Sequence, residues 1–174
     1  MAVARRLGRE EPEGLGADDA PADPMGVARE IVLRQLTAKA RTRQELADTL
    51  ARKGVPDEAA QEVLTRFTEL RLIDDASYAA AWVEGQQRRM TSRRALRYEL
   101  GQRGVDADTI DEALTGVDDQ AEYQAALALA AKRGRATVRL PREVRYRRMV
   151  GALARKGFAA EVAHRAVHEV LGDG

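Results

Sequence analysis

Arginine is the residue type best placed to do chemistry in this chain. Residues 88–104 hold six arginines and one glutamate, a local charge of +5, and residues 123–156 hold ten basic groups and one acid, a local charge of +9. Between them, residues 105–122 carry seven carboxylates and no base. The chain as a whole has 29 Lys and Arg against 28 Asp and Glu, net +1, so strong local fields hide inside a neutral total. A guanidinium presents a fixed fork of donors to phosphate or carboxylate and is weakly hydrated. The candidate partner or DNA contacts are therefore Arg88, Arg89, Arg93, Arg94 and Arg97 in the first block, and Lys132, Arg133, Arg135, Arg139, Arg142, Arg145, Arg147 and Arg148 in the second. Tyr98 and Tyr146 are the aromatics among them, too few for a platform on which successive bases stack. The plainer alternative is a set of solvated helix faces.

Other chemistry is thinly supported. Asp74 and Asp75 are adjacent carboxylates, the residue types of an acid–base or metal pair, but behind Leu72 and Ile73 they read as the start of a helix. His164 and His168 stand four apart, a spacing compatible with a metal, yet a zinc site needs further ligands and there is no His-Glu-x-x-His motif. The chain has no cysteine, which removes disulfides, a thiol nucleophile and thiolate zinc sites. No glycine loop of the phosphate-cradling kind and no Ser/His/Asp set stands out. The expectation is a protein that is not an enzyme and has no cofactor and no metal.

The elements that must carry the arginines are helices. Apolar residues make up 44 % of the chain and aromatics only 4 %, so alanine and leucine supply most of the core, with Phe67, Trp82 and Phe158 as its large pieces. Such residues lose little on entering a helix. A pattern recurs three times: Leu46-x3-Leu50-x3-Gly54-Val55, Leu96-x3-Leu100-x3-Gly104-Val105 and Met149-x3-Leu153-x3-Gly157-Phe158, with 50 and 53 residues between the glycines. The i, i+4 spacing puts both apolar side chains on one face, and the glycine falls where a left-handed residue closes a helix. A helix precedes each pattern, over 26–38, 75–89 and 118–134, and another follows each glycine, the first with Pro56 in its opening position. Thr42-x-x-Glu45 is a capping box.

The fold expected is all-α, an elongated array of three tandem three-helix repeats over 26–73, 74–117 and 118–174, with a connector at 134–141 in the third. Residues 1–25, rich in Gly and Pro and lacking apolar periodicity, are expected to be a disordered, dispensable tail. The longest apolar run, 125–131, is far short of the roughly 20 residues that cross a bilayer, and no secretory leader is evident. A soluble, intracellular protein with no membrane contact is expected.

The runs Arg41-Thr-Arg-Gln-Glu-Leu46, Leu50-Ala-Arg-Lys-Gly54, Leu72-Ile-Asp-Asp-Ala-Ser-Tyr78-Ala-Ala-Ala-Trp82 and Arg97-Tyr-Glu-Leu100-Gly-Gln-Arg-Gly104-Val resemble the RecX family over about residues 26–172. That resemblance implies a cytoplasmic regulatory protein that binds the RecA recombinase filament in its groove; a monomer is expected. It implies inhibition of RecA's ATPase, strand-exchange and co-protease activities, and so modulation of DNA repair and the SOS response. Single-stranded DNA is a second candidate partner, through the basic blocks. The alternative is a general helical nucleic-acid-binding protein acting through the same patches.

Overall fold

The computed structural model describes residues 23–172. Among them the chain forms nine helices and no strand, in three consecutive triplets. The first unit holds α1 (Pro24–Ala38), α2 (Arg43–Arg52) and α3 (Asp57–Glu69). The second holds α4 (Asp75–Gln87), α5 (Arg93–Gln102) and α6 (Ala107–Ala113). The third holds α7 (Asp119–Ala136), α8 (Arg142–Arg155) and α9 (Ala160–Leu171). Every extensive helix–helix packing lies within one triplet, so each unit closes its own core and the units form a tandem array.

Caps set where the helices begin. Thr42, Asp74, Ser92, Asp106 and Asp118 each accept a backbone N–H three residues on, at 2.7 to 3.2 Å. The recurring pattern explains where the middle helices end. The amides of Val55, Val105 and Phe158 donate to the carbonyls of Leu50, Leu100 and Leu153, and the glycine before each donates to the carbonyl three residues back. This is a Schellman closure, with an apolar residue just past the helix packed on one in its last turn. Gly54, Gly104 and Gly157 take φ of +73°, +75° and +85°, a region in which a Cβ costs energy. Leu46, Leu50, Leu64 and Phe67 centre the first core, Leu96, Leu100, Ile110 and Leu114 the second, and Met149, Leu153, Phe158 and Val167 the third. Full burial of each such side chain contributes roughly 1.5–3 kcal/mol.

Several boundaries differ from expectation. Helix α1 starts at Pro24 with Asp23 as its cap, and Met25 packs on the first core, so residues 23–25 are structural and not tail. The remainder of the expected tail, residues 1–22, lies outside the described residues. Pro56 is the cap of α3 and not its first residue; Asp57 and Glu58 fill the first turn behind it. Helix α4 stops at Gln87, two residues early, because Met90 turns into the left-handed region at φ +53°. Helix α7 continues to Ala136, so the third-unit connector shrinks to 137–141. Gly134, expected to loosen it, is helical and buried, and a Cβ there would meet Val170 at 3.1 Å. Close packing of α7 on α9 carries the helix through.

Neighbouring units join at the ends of their middle helices. The Thr42 hydroxyl at the start of α2 donates to the carbonyl of Arg103 at the end of α5, at 2.6 Å. The Ser92 amide at the start of α5 donates to the carbonyl of Lys156 at the end of α8, at 3.1 Å. The glycine of each closure lies under the incoming helix start: a Cβ on Gly104 would fall 2.2 Å from Gln44 Cβ, and one on Gly157 2.6 Å from Ser92 Oγ and 2.8 Å from Ala95 Cβ. Gly54 has the same backbone conformation and open space around it. Gly54→Ala should therefore cost about 1 kcal/mol, the strain of a left-handed non-glycine residue. Gly104→Ala should cost at least roughly 1 kcal/mol more, because the joint must also move apart. Equilibrium urea denaturation of the two variants checks this, and equal losses would show that the joint yields freely.

Candidate functional site

The joint between the first two units is built from polar and aromatic side chains. Arg103, at the end of α5, reaches across to Glu45 on α2 with Nη1 2.8 Å from Oε1, while its guanidinium lies 3.9 Å over the Trp82 ring. Tyr78 stacks on Trp82 at 6.2 Å between ring centres. Burial is the main reason the Tyr78 hydroxyl titrates above its usual range, with the Glu45 charge second. The cation over the indole and the half-buried ion pair act together to set how α2 meets α5. Arg103 is not among the arginines singled out from sequence. The 58-residue separation from Glu45 hides the pair.

The two adjacent aspartates serve backbone amides. Asp74 caps its own helix by accepting from the Ser77 amide at 2.8 Å, and that bond chiefly holds its carboxyl below the usual range. Asp75 reaches back to the first unit and accepts the Arg43 amide at 2.9 Å, an N–H at the start of α2. Burial pushes its carboxyl upward, and the Arg43 amide only partly offsets this. His164 and His168 both face Tyr146, whose hydroxyl hydrogen-bonds His164 Nδ1 and whose ring meets the His168 ring at 5.2 Å. Among the described residues no three His, Asp or Glu side chains are grouped to hold a metal ion.

The predicted arginines divide by what they touch. Arg88 pairs with Glu84 at 2.9 Å, Arg97 pairs with Asp111, and Arg142 donates to the carbonyls of Leu171 and Gly172 at 3.2 and 2.5 Å. Arg142, expected as a contact, thus closes the last helix of its own unit. Arg89 and Arg94 are exposed and Arg93 is half-buried; none of the three has a carboxylate within ion-pair distance among the described residues. Lys132, Arg135 and Arg139 stand exposed along α7 and the turn after it. Arg145 is half-buried, and its Nε is enclosed without a partner.

Three of the second-block arginines do come together. Arg133, Arg147 and Arg148 line a groove of about 550 Å³ between the end of α7 and the middle of α8, with Thr137, Gly151 and Arg155 completing it. Arg155 was not among the predicted contacts. Its signal was available, since Arg148 and Arg155 are seven apart and share a helix face. The groove's lining contains no carboxylate.

Fold and surface together define a protein of three-helix repeats with an arginine-lined groove on its third unit. Family models of RecX match in order: the first three-helix domain over residues 28–67, the second over 74–114 and the third over 120–167. Regulatory protein RecX of Streptomyces lividans is 47 % identical over 152 residues, 87 % of this chain and 81 % of that protein. Regulatory protein RecX of Thermobifida fusca is 46 % identical over 165 residues, 94 % of this chain and 88 % of that one. A crystal structure of RecX from Lactobacillus salivarius shares the fold with a TM-score of 0.74 at 21 % identity, covering 86 % of this chain and 97 % of that one. The chain belongs to the RecX family of regulatory proteins. No helix among the described residues is long and apolar enough to cross a membrane.

The aspartates give a pH signature with opposite signs. Asp74 and Asp106, both held below the usual range by hydrogen bonds at helix starts, stabilise the fold above about pH 4, and that stability is lost as pH falls through their folded values. Asp75, pushed upward, favours the folded state while protonated and loses that advantage as pH rises above its ordinary value. Asp75→Asn keeps an oxygen for the Arg43 amide and removes the buried charge, so its melting midpoint at pH 7 should equal or exceed that of the parent. Asp75→Ala should lose about 1 kcal/mol. Thermal melts at pH 7 check both, and a clear loss in Asp75→Asn would mean that the charge itself is needed.

Proposed function

We propose that this chain binds a filament of the RecA recombinase and inhibits its ATPase, strand-exchange and co-protease activities, thereby modulating DNA repair and the SOS response. The observation that carries the reading is the complete series of three RecX units in family order. Three stacked units expose a large surface for their mass, which suits lying along an extended partner better than enclosing a small substrate. The protein acts as a cytoplasmic monomer, without a cofactor and without catalysing a reaction of its own. Its contact surface is assigned to the basic side chains not tied to a partner among the described residues: Arg89, Arg93 and Arg94 on the second unit, and Lys132, Arg133, Arg135, Arg139, Arg145, Arg147 and Arg148 on the third.

A second reading, a general nucleic-acid-binding protein, draws on the carboxylate-free groove of the third unit. Capture by recombinase in the absence of DNA separates the two readings. The chain added at substoichiometric amounts to recombinase on single-stranded DNA should lower ATP hydrolysis. Arg89→Glu with Arg94→Glu should weaken that inhibition several-fold, most at low salt where exposed charges are least screened. Undiminished hydrolysis with the parent chain at excess would sink the proposal.

A further inference from the structure

One face of α1 is left uncovered. Met25, Arg29, Leu33 and Leu36 follow one another at helical spacing along the edge of the first core, and Leu33 is 46 % exposed. Near the end of α1 this face opens on a groove of about 400 Å³, lined mainly by Leu36, Ala40, Leu72, Tyr78, Ala81 and Trp82. Leu72 is 50 % exposed there. Near the start of α1, Met25 and Arg29 border a second groove against Arg66 and Phe67 of α3. Exposed leucines arranged in a strip beside an apolar groove mark an interaction surface.

The charge of this face selects a negative occupant. Residues 23–41 carry Arg29, Arg34, Lys39 and Arg41 against Asp23 and Glu30. Arg29, Arg34 and Lys39 have no carboxylate within ion-pair distance among the described residues. The groove itself demands an apolar anchor. The chain carries both features just ahead of the helix. Residues 10–22 hold Glu10, Glu11, Glu13, Asp18 and Asp19 and no base. Leu15 is their one large apolar side chain, and Gly14 and Gly16 on either side put no bulk between its backbone and a surface. The lengths agree as well. Thirteen residues separate Asp23 from Leu36, about 20 Å of helix. Eight residues separate Asp23 from Leu15, a reach of up to about 26 Å. Pro21 and Pro24 flank the point where the chain would reverse. With Leu15 level with Leu36, Asp18 and Asp19 come level with the stretch between Arg29 and Arg34.

We propose that residues 10–19 bind back along α1 of the same chain, with Leu15 seated in the groove between Leu36, Leu72 and Trp82. The segment covers the exposed leucines and lies across the first joint, since Leu36 belongs to the first unit and Trp82 to the second. Tethering supplies an effective concentration on the order of millimolar, so one leucine and a few ion pairs suffice to hold it. The contact is independent of the recombinase reading, and neither stands or falls with the other.

Trp82 is the single tryptophan of the chain, and there is no cysteine. Ala17→Cys in the full chain, carrying a thiol-linked acceptor of indole emission, therefore reports the distance of the segment from Trp82. Energy transfer should be efficient at low salt and decline as salt screens the ion pairs. Adding Leu15→Asp, or Leu72→Ser in the exposed turn after α3, should lower transfer at least about twofold, because the tethered contact loses its anchor. Leu7→Asp adds the same charge outside the segment and should leave transfer unchanged. Transfer should not vary with protein concentration. In the unlabelled chain, Leu15→Asp should make Trp82 more readily quenched by acrylamide. The proposal is overturned if Leu15→Asp and Leu72→Ser transfer as the parent does, if Leu7→Asp loses as much, or if quenching of Trp82 is unchanged by Leu15→Asp. Transfer that grows with protein concentration also overturns it, because the segment then meets a second copy.

Discussion

The architecture depends on one contact made twice: the start of a middle helix set against the carbonyl end of the middle helix in the next unit. Each helix end carries unmet hydrogen-bonding groups, donors at one terminus and acceptors at the other. Placing the start of α2 on the end of α5, and the start of α5 on the end of α8, lets the units satisfy one another and aligns the helix dipoles head to tail. The contact is possible because the closing residue is a glycine with a positive φ. It supplies the Schellman turn and leaves room for the neighbouring helix. One residue type thus meets a conformational demand and a steric one at Gly104 and Gly157.

The joints differ in chemistry although they share geometry. Between the first two units, Glu45, Arg103, Trp82 and Tyr78 form a half-buried cluster, and Asp75 ties the second unit back to the start of α2. Between the second and third, small side chains dominate, with Ser92 and Ala95 against Gly157 while Met90 reaches into the third core. A polar joint with several partners fixes orientation more narrowly than one of small residues. The first joint thus carries side-chain hydrogen bonds from Thr42, Asp75 and Arg103, whereas the second is held by the Ser92 amide on the Lys156 carbonyl.

The third unit differs from the other two at the start of its middle helix. Its middle helix is a turn longer, begins without a hydroxyl cap and carries arginines at positions that meet the next unit in the other two. Repeat proteins commonly differentiate the surfaces of individual units while the shared core positions stay apolar. Here Met149, Leu153 and Phe158 build the core while Arg147 and Arg148 beside Met149 line the groove.

The sequence by itself determined the helical class, the threefold repeat, the middle-helix closures and the aspartate and threonine caps. These are local: each rests on residues within about one helical turn of one another, so spacing alone encodes them. It also pointed to the arginine-rich third unit. Tertiary structure alone decided which arginines remain available, because a guanidinium is consumed by partners distant in sequence. Arg142 meets the carbonyls of Leu171 and Gly172, Arg97 meets Asp111, and Arg103 meets Glu45 and Trp82. It decided that Gly134 is a packing residue, since the closeness of Val170 has no local signature. It added Arg155 to the groove, because helix faces are legible in sequence but the approach of α7 to α8 is not. Local hydrogen bonding is written in spacing, whereas the pairing of long charged side chains depends on how three closed cores happen to stack.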